Sequence, residues 1–236
     1  MSTPNTTRWI GIGLLGLPLY GALTFWSSID PQPDPNAHLE AWSRYVTTNH
    51  YVLGHVFGSI LGLILLIFGI FALGVYLATS RAGRLGLVAM VITVFGNALF
   101  LPQMGVSAFS APEEGQAVLA GLEEFEKLPP IFANTVFSLT GLLVIVLGLV
   151  GNVLLGVAVW RSGTLPRWTG ALWAAANVLM YLSIVYAAAI GPASTPPTVL
   201  VGAVVVVISG AWMVWSVLSR PSAAQAVRAA AAQPRV

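Results

Sequence analysis

Eight side chains that can do chemistry sit in or beside long apolar stretches of this 236-residue chain: His55, Ser59, Asn97, Gln103, Asn134, Ser138, Asn152 and Asn177. A neutral imidazole such as His55 can ligate haem or a metal, hydrogen-bond a quinone carbonyl or relay protons. The plainer alternative is a structural histidine bonded to Asn134 or to a nearby carbonyl, because a lone ligand makes a poor metal site. His50 does not complete a pair, since five residues along a helix turn its side chain to another face, about 140° away. His38 is expected in solvent. Asn97 and Asn177 fall near the middles of two apolar stretches, where an unpaired amide is costly. They are expected either to clamp helices together, with each other as partners across the pseudo-axis, or to form a ligand or permeation site at mid-depth. Tyr181 is a lesser member of the same polar set. Pro102, beside Gln103, frees a carbonyl one turn earlier and can open its helix there, as Pro18 can in the first stretch.

The elements that must position these groups are set by composition. Only 8% of residues are charged and 57% are hydrophobic, too little polar surface to coat a water-exposed globule. A helix crossing about 30 Å of hydrocarbon needs roughly 20 apolar residues. Six such runs occur, at residues 9–29, 50–77, 85–108, 131–160, 168–190 and 199–218, and none contains Asp, Glu, Lys or Arg. They are continuously apolar, whereas a barrel strand alternates over about ten residues. The reading is an all-α polytopic transmembrane bundle: one domain over residues 1–220, then an alanine- and arginine-rich tail at 221–236 expected to be disordered. The first run, preceded by Arg8, has some character of a signal peptide. It lacks an A-x-A site and continues through Phe25 and Trp26, so a retained anchor is expected.

Charge then orients the bundle. All eight carboxylates fall in the two long loops, among them Asp30, Asp34, Glu40, Glu113, Glu123 and Glu126. Eight of the ten basic residues fall in the termini and two short turns, including Arg8, Arg81, Arg84, Arg161, Arg167 and Arg220; Arg44 and Lys127 are the exceptions. The positive-inside rule places the arginine end, and both termini, in the cytoplasm of a bacterial-type inner membrane, with Trp9, Trp160, Trp168 and Trp215 as interfacial anchors. The pI of 9.2 is read as orientation, not as nucleic-acid binding, because no basic cluster with interleaved aromatics is present. The two outer loops are each expected to carry a short surface helix, one on Leu39, Trp42 and Tyr45 or Val46, the other on Val118, Leu122 and Phe125 before Pro129 and Pro130. Such helices are either lids on the membrane surface or a docking site for a membrane partner.

Spans two and three resemble spans four and five. His55, Ser59, Gly62 and Gly69 share their spacing with Asn134, Ser138, Gly141 and Gly148. After a one-residue shift, Arg81, Gly83, Leu85, Asn97 and Leu99 match Arg161, Gly163, Leu165, Asn177 and Leu179. An internal duplication of two-span units implies a pseudo-two-fold axis along the membrane normal. Each matched set forms one helix stripe, and Asn152, five turns from Asn134, extends the second. Both stripes are expected to face the interior of a four-helix core, with the first and last spans peripheral. The steps Gly54, Gly58, Gly62 add a small-residue ladder suited to close helix packing.

The stretch Leu165-Pro-Arg-Trp-Thr-Gly-Ala-Leu-Trp, continuing to Asn177-Val-Leu-Met-Tyr, resembles a segment in a family of bacterial six-helix membrane proteins of unknown function. The long second span, short basic turn and outer loop before the fourth span are similar too. The resemblance implies architecture and carries no activity or site.

With no cysteine there is no thiolate chemistry. There is also no H-E-x-x-H, Walker loop, dinucleotide fingerprint or G-x-S-x-G with a basic partner, and no carboxylate within a span to couple transport to an ion. These residues point to a non-enzymatic membrane protein, without a predicted cofactor, that binds a lipid-like or other apolar ligand, a membrane partner or a second copy of itself. Two alternatives stay open: a carrier or channel for an uncharged solute lined by the polar set, and a haem-, quinone- or pigment-binding subunit using His55.

Overall fold

The computed structural model describes residues 4–122, 134–190 and 196–219, and every regular element within them is helical. The first span is built from α1 (Pro4–Leu14) and α2 (Gly16–Ser28). Pro18 has no N–H to give the Leu14 carbonyl, and at this point the chain tightens, Leu15 donating to Ile12 only three residues back at 3.1 Å. A short surface helix α3 (Leu39–Val46) leads to α4 (Asn49–Leu53), a π-helical segment (Gly54–Leu61) and α5 (Gly62–Ala78), which together make the second span. α6 (Gly83–Gly105) runs through Pro102, widens into a second π-helical segment (Val106–Ser110) and continues as α7 (Ala111–Leu119). α8 (Thr135–Ser162), α9 (Arg167–Ile190) and α10 (Pro197–Leu218) complete the bundle.

Six helices are long and apolar enough to cross a membrane: Thr6–Ser28, Asn49–Ala78, Gly83–Leu119, Thr135–Ser162, Arg167–Tyr186 and Pro197–Leu218. Phe68, Val91, Phe95, Leu139, Leu182 and Ile208 each stand more than half exposed around the outside. Soluble monomers rarely carry apolar surface on that scale; a lipid solvent explains it. The protein is an all-α integral membrane bundle.

Consecutive spans pack side by side, α2 on α5, α5 on α6, α6 on α8, α8 on α9 and α9 on α10, and α10 returns to pack along α2. The six therefore close a ring. This corrects the expectation of a four-helix core with peripheral first and last spans. The reason lies in small residues on both end helices: a Cβ built on Gly21 would stand 2.8 Å from the Ala203 carbonyl oxygen, and one on Gly210 would stand 2.9 Å from the Pro18 ring. With no side chain between them, the backbones approach closely. The Gly54, Gly58, Gly62 ladder does the same against Ser27, Tyr20 and Leu23 of the first span.

Beyond the acidic end of the ring, α3 lies against α7, with Gly115 meeting Val46 and Ser43. Trp42, Val46 and Tyr51 form a small separate core there. The first surface helix is thus where its apolar spacing places it. α7, with Pro112 in its first turn, ends at Leu119, and Gly121, at φ 72°, turns the chain just after it; the stretch on which the second surface helix is expected lies mostly outside the described residues. Glu123, Glu124, Phe125, Glu126, Lys127, Pro129 and Pro130 lie outside the described residues, as does the tail from Arg220.

Candidate functional site

On α2, Tyr20, Thr24 and Ser27 recur at four and three residues, so they share one face. That face borders the centre of the ring. It meets Ser59 from the first π-helical segment, Asn97 from α6, and Asn177 and Tyr181 from α9 around a cavity of about 160 Å³. Leu63, Phe100, Met104 and Met180 supply the apolar part of the wall, and among the described residues no charged side chain lines it. Cavities on the order of 150 Å³ accept one benzene-sized molecule.

The two amides are held alike. Asn97 donates its Nδ2 to the Thr93 carbonyl at 2.8 Å, and Asn177 donates its Nδ2 to the Trp173 carbonyl at 2.9 Å. Each bonds its own helix one turn back, so the expected clamp between them is not formed. Among the described residues the second hydrogen and the carbonyl oxygen of each amide are not engaged, and both residues border the cavity. Asn152 lies outside it and does structural work. Its Nδ2 donates to the Gly148 carbonyl at 2.9 Å, and its Oδ1 accepts from the Trp173 indole at 3.1 Å.

That indole does not line the cavity and lies toward the basic end. Trp173 stands four residues, about 6 Å, below Asn177 and is fully buried. It belongs to one apolar cluster with Leu66, Ile70, Leu73, Leu155 and Met213. At the other end the lining reaches Ser28, Ile184 and Val199, near the acidic ends of their helices.

The remaining sequence candidates are placed elsewhere. His55 is half-buried on a neighbouring face; its Nδ1–H donates to the Tyr51 carbonyl at 3.0 Å, and the two rings lie 4.0 Å apart at 35°. Tyr51 in turn donates its hydroxyl to the Ser107 carbonyl at 3.0 Å, linking the second span to the second π-helical segment. Gln103 sits beside Gly141, its Nε2 buried without a partner. Asn134 caps α8, accepting from the amides of Val136 and Phe137 at 3.0 and 3.1 Å, and both it and Ser138 are exposed. The second stripe therefore faces inward only from Gly148 and Asn152 onward. Near the surface, His50 pairs with Asp30 at 2.5 Å, fastening the first span to the second. Outside the membrane-spanning segments, burial and then the Asp30 carboxylate raise the Tyr45 hydroxyl above its ordinary 10.0.

Sequence reasoning missed Tyr20, Thr24, Ser27 and Ser28, having treated the first span as peripheral. Their helical spacing was the available signal. Compared with protein-family models, curated proteins and solved structures, the chain finds no match. What stands of the resemblance read at Leu165–Trp173 is the six-helix architecture alone.

Proposed function

We propose that this is a non-enzymatic membrane protein that binds an uncharged, benzene-sized molecule with at least one hydrogen-bonding group. The observation that carries the reading is the central cavity, with its hydroxyl and amide wall and no charge. An ion there would lose its hydration without a counter-charge, while a neutral polar guest finds donors and acceptors already in place. The charge distribution of Arg81, Arg84, Arg161 and Arg167 supports a basic end in the cytoplasm of a bacterial-type inner membrane, and on this reading the guest enters from the outer side. The apolar cluster of Trp173, Leu66, Ile70, Leu155 and Met213 toward the basic end favours binding over passage; a carrier would have to open it. The like bonding of Asn97 and Asn177, at matched positions of spans three and five, supports an internal duplication behind the site.

The test is thermal unfolding of the purified protein in detergent with phenol, indole and benzyl alcohol, and with benzenesulfonate as the charged control. A guest at about 100 times its Kd stabilises by ~2.7 kcal/mol, a clear rise in Tm. The neutral probes are expected to give this rise, benzenesulfonate not, and Asn97→Leu with Asn177→Leu is expected to abolish it while keeping the helical circular dichroism signal. No rise with any neutral probe, or the same rise in the double variant, overturns the proposal. Flux of the same solutes across proteoliposomes would move the reading to a carrier, and a visible absorption band lost in His55→Ala would move it to a redox subunit.

A further inference from the structure

At the basic end, the turn between α5 and α6 and the last turn of α8, where the matched Arg81 and Arg161 stand eighty residues apart in sequence, border one open groove of about 500 Å³. Arg81, Arg84 and Arg161 all line it. As sequence, these arginines are topology markers; the fold makes them neighbours. The stem of Arg81 lies across the second turn, where a Cβ built on Gly163 would stand 3.8 Å from its Cδ. Tyr76 ties the turns together, donating its hydroxyl to the Thr164 carbonyl at 3.4 Å.

Among the described residues no carboxylate pairs with these arginines. Among the described residues the ion pairs are Arg44–Glu40 and His50–Asp30, both at the opposite end of the bundle. The groove also contains the start of α6. The Gly83 amide bonds the Ser80 carbonyl at 3.1 Å and the Gly86 amide bonds the Ala82 carbonyl at 2.7 Å, while the amides of Arg84 and Leu85 between them make no such bond among the described residues. A helix start with open N–H groups beside three guanidinium groups is suited to a tetrahedral oxyanion.

Depth decides what carries that anion. Trp9, Trp168 and Trp215 are each more than half exposed at this end. Arg167 is not part of the groove; its guanidinium lies 5.6 and 5.8 Å from the Trp160 and Trp168 rings. Exposed indoles mark the headgroup level of a bilayer. We infer that the Arg81–Arg84–Arg161 groove binds the phosphate of an anionic phospholipid headgroup. This site is separate from the central cavity and does not depend on what the cavity holds.

The test counts lipids retained by the purified protein in native mass spectrometry, with phosphatidylglycerol or phosphatidylcholine added. Phosphatidylglycerol is expected to be retained preferentially, and Arg81→Gln, Arg84→Gln and Arg161→Gln combined are expected to lower its retention by on the order of tenfold or more. Arg167→Gln is expected to leave it unchanged. Displacement by millimolar inorganic phosphate would support the site with a free anion as a second occupant; no displacement would assign it to the lipid. Equal retention of the two lipids, or undiminished phosphatidylglycerol on the triple variant, overturns the inference. Should the triple variant fail to fold, the wild-type preference is measured at rising salt. Its loss as the Debye length shrinks toward about 3 Å supports the inference, and its persistence overturns it.

Discussion

Toward the basic end, the ring is filled: Trp173, Leu66, Ile70, Leu155 and Met213 are buried in one apolar cluster. Toward the acidic end the same helices present Tyr20, Ser59, Asn97 and Asn177, and a cavity is left between them. Gly156 and Gly170 bring α8 and α9 into backbone contact in the filled half, whereas Gly105 has nothing within 4 Å of its missing side chain. Both π-helical segments, Gly54–Leu61 and Val106–Ser110, lie in the acidic half. Lipid surrounds both halves equally, so hydrophobic burial cannot account for the difference. Packing and hydrogen bonding decide it, as they do for helices already in a membrane.

The largest test of that contrast is Trp173→Ala. It opens a void in the filled half and leaves the Asn152 carbonyl oxygen without its donor, so a loss of about 3–5 kcal/mol is expected in detergent unfolding. A loss below ~1 kcal/mol would mean that the basic half is not tightly packed. Next, Gly156→Val forces side-chain volume against the Gly170 carbonyl and Ala174, and should cost about 1–3 kcal/mol or prevent folding. In the other half, Ser59→Leu fills part of the cavity. It is expected to change stability by less than ~1.5 kcal/mol yet abolish stabilisation by phenol, which separates the site from the scaffold. Gly105→Ala should stabilise by about 0.5 kcal/mol through helix propensity alone, and an equal cost there and at Gly156 would erase the contrast. The smallest effect concerns Tyr45 in the surface layer. Because its folded pKa is raised, its contribution is present below pH 10 and lost as pH rises through the folded value. Ultraviolet titration of Tyr45→Phe against wild type is expected to remove one late-ionising tyrosine.

Much of this architecture is legible in the chain before folding. Spans follow from apolar length, and α3 from the spacing of Leu39, Trp42 and Val46. The polar set is legible as a list, but membership of the cavity is not. Asn97 and Asn177 line it while Asn152, on the stripe continued from Asn134, does not, because its oxygen is taken by an indole on another helix. Helical periodicity gives a direction around one axis and says nothing about how neighbouring axes are rotated. Ring closure was hidden for a related reason. A glycine reads the same whether lipid or a partner backbone lies against it, so Gly21 and Gly210 did not announce that α2 and α10 meet.

That meeting has a consequence for biogenesis. Synthesis runs from the amino end, so the helix that seals the ring is the last of the six spans to leave the ribosome. Until α10 inserts, the seam between the first and fifth spans stands open, and the hydroxyl of Tyr20 and the amide of Asn177 have an unguarded path to the acyl chains. A truncation before Pro197 therefore leaves a half-built barrel of helices, a natural substrate for membrane quality control.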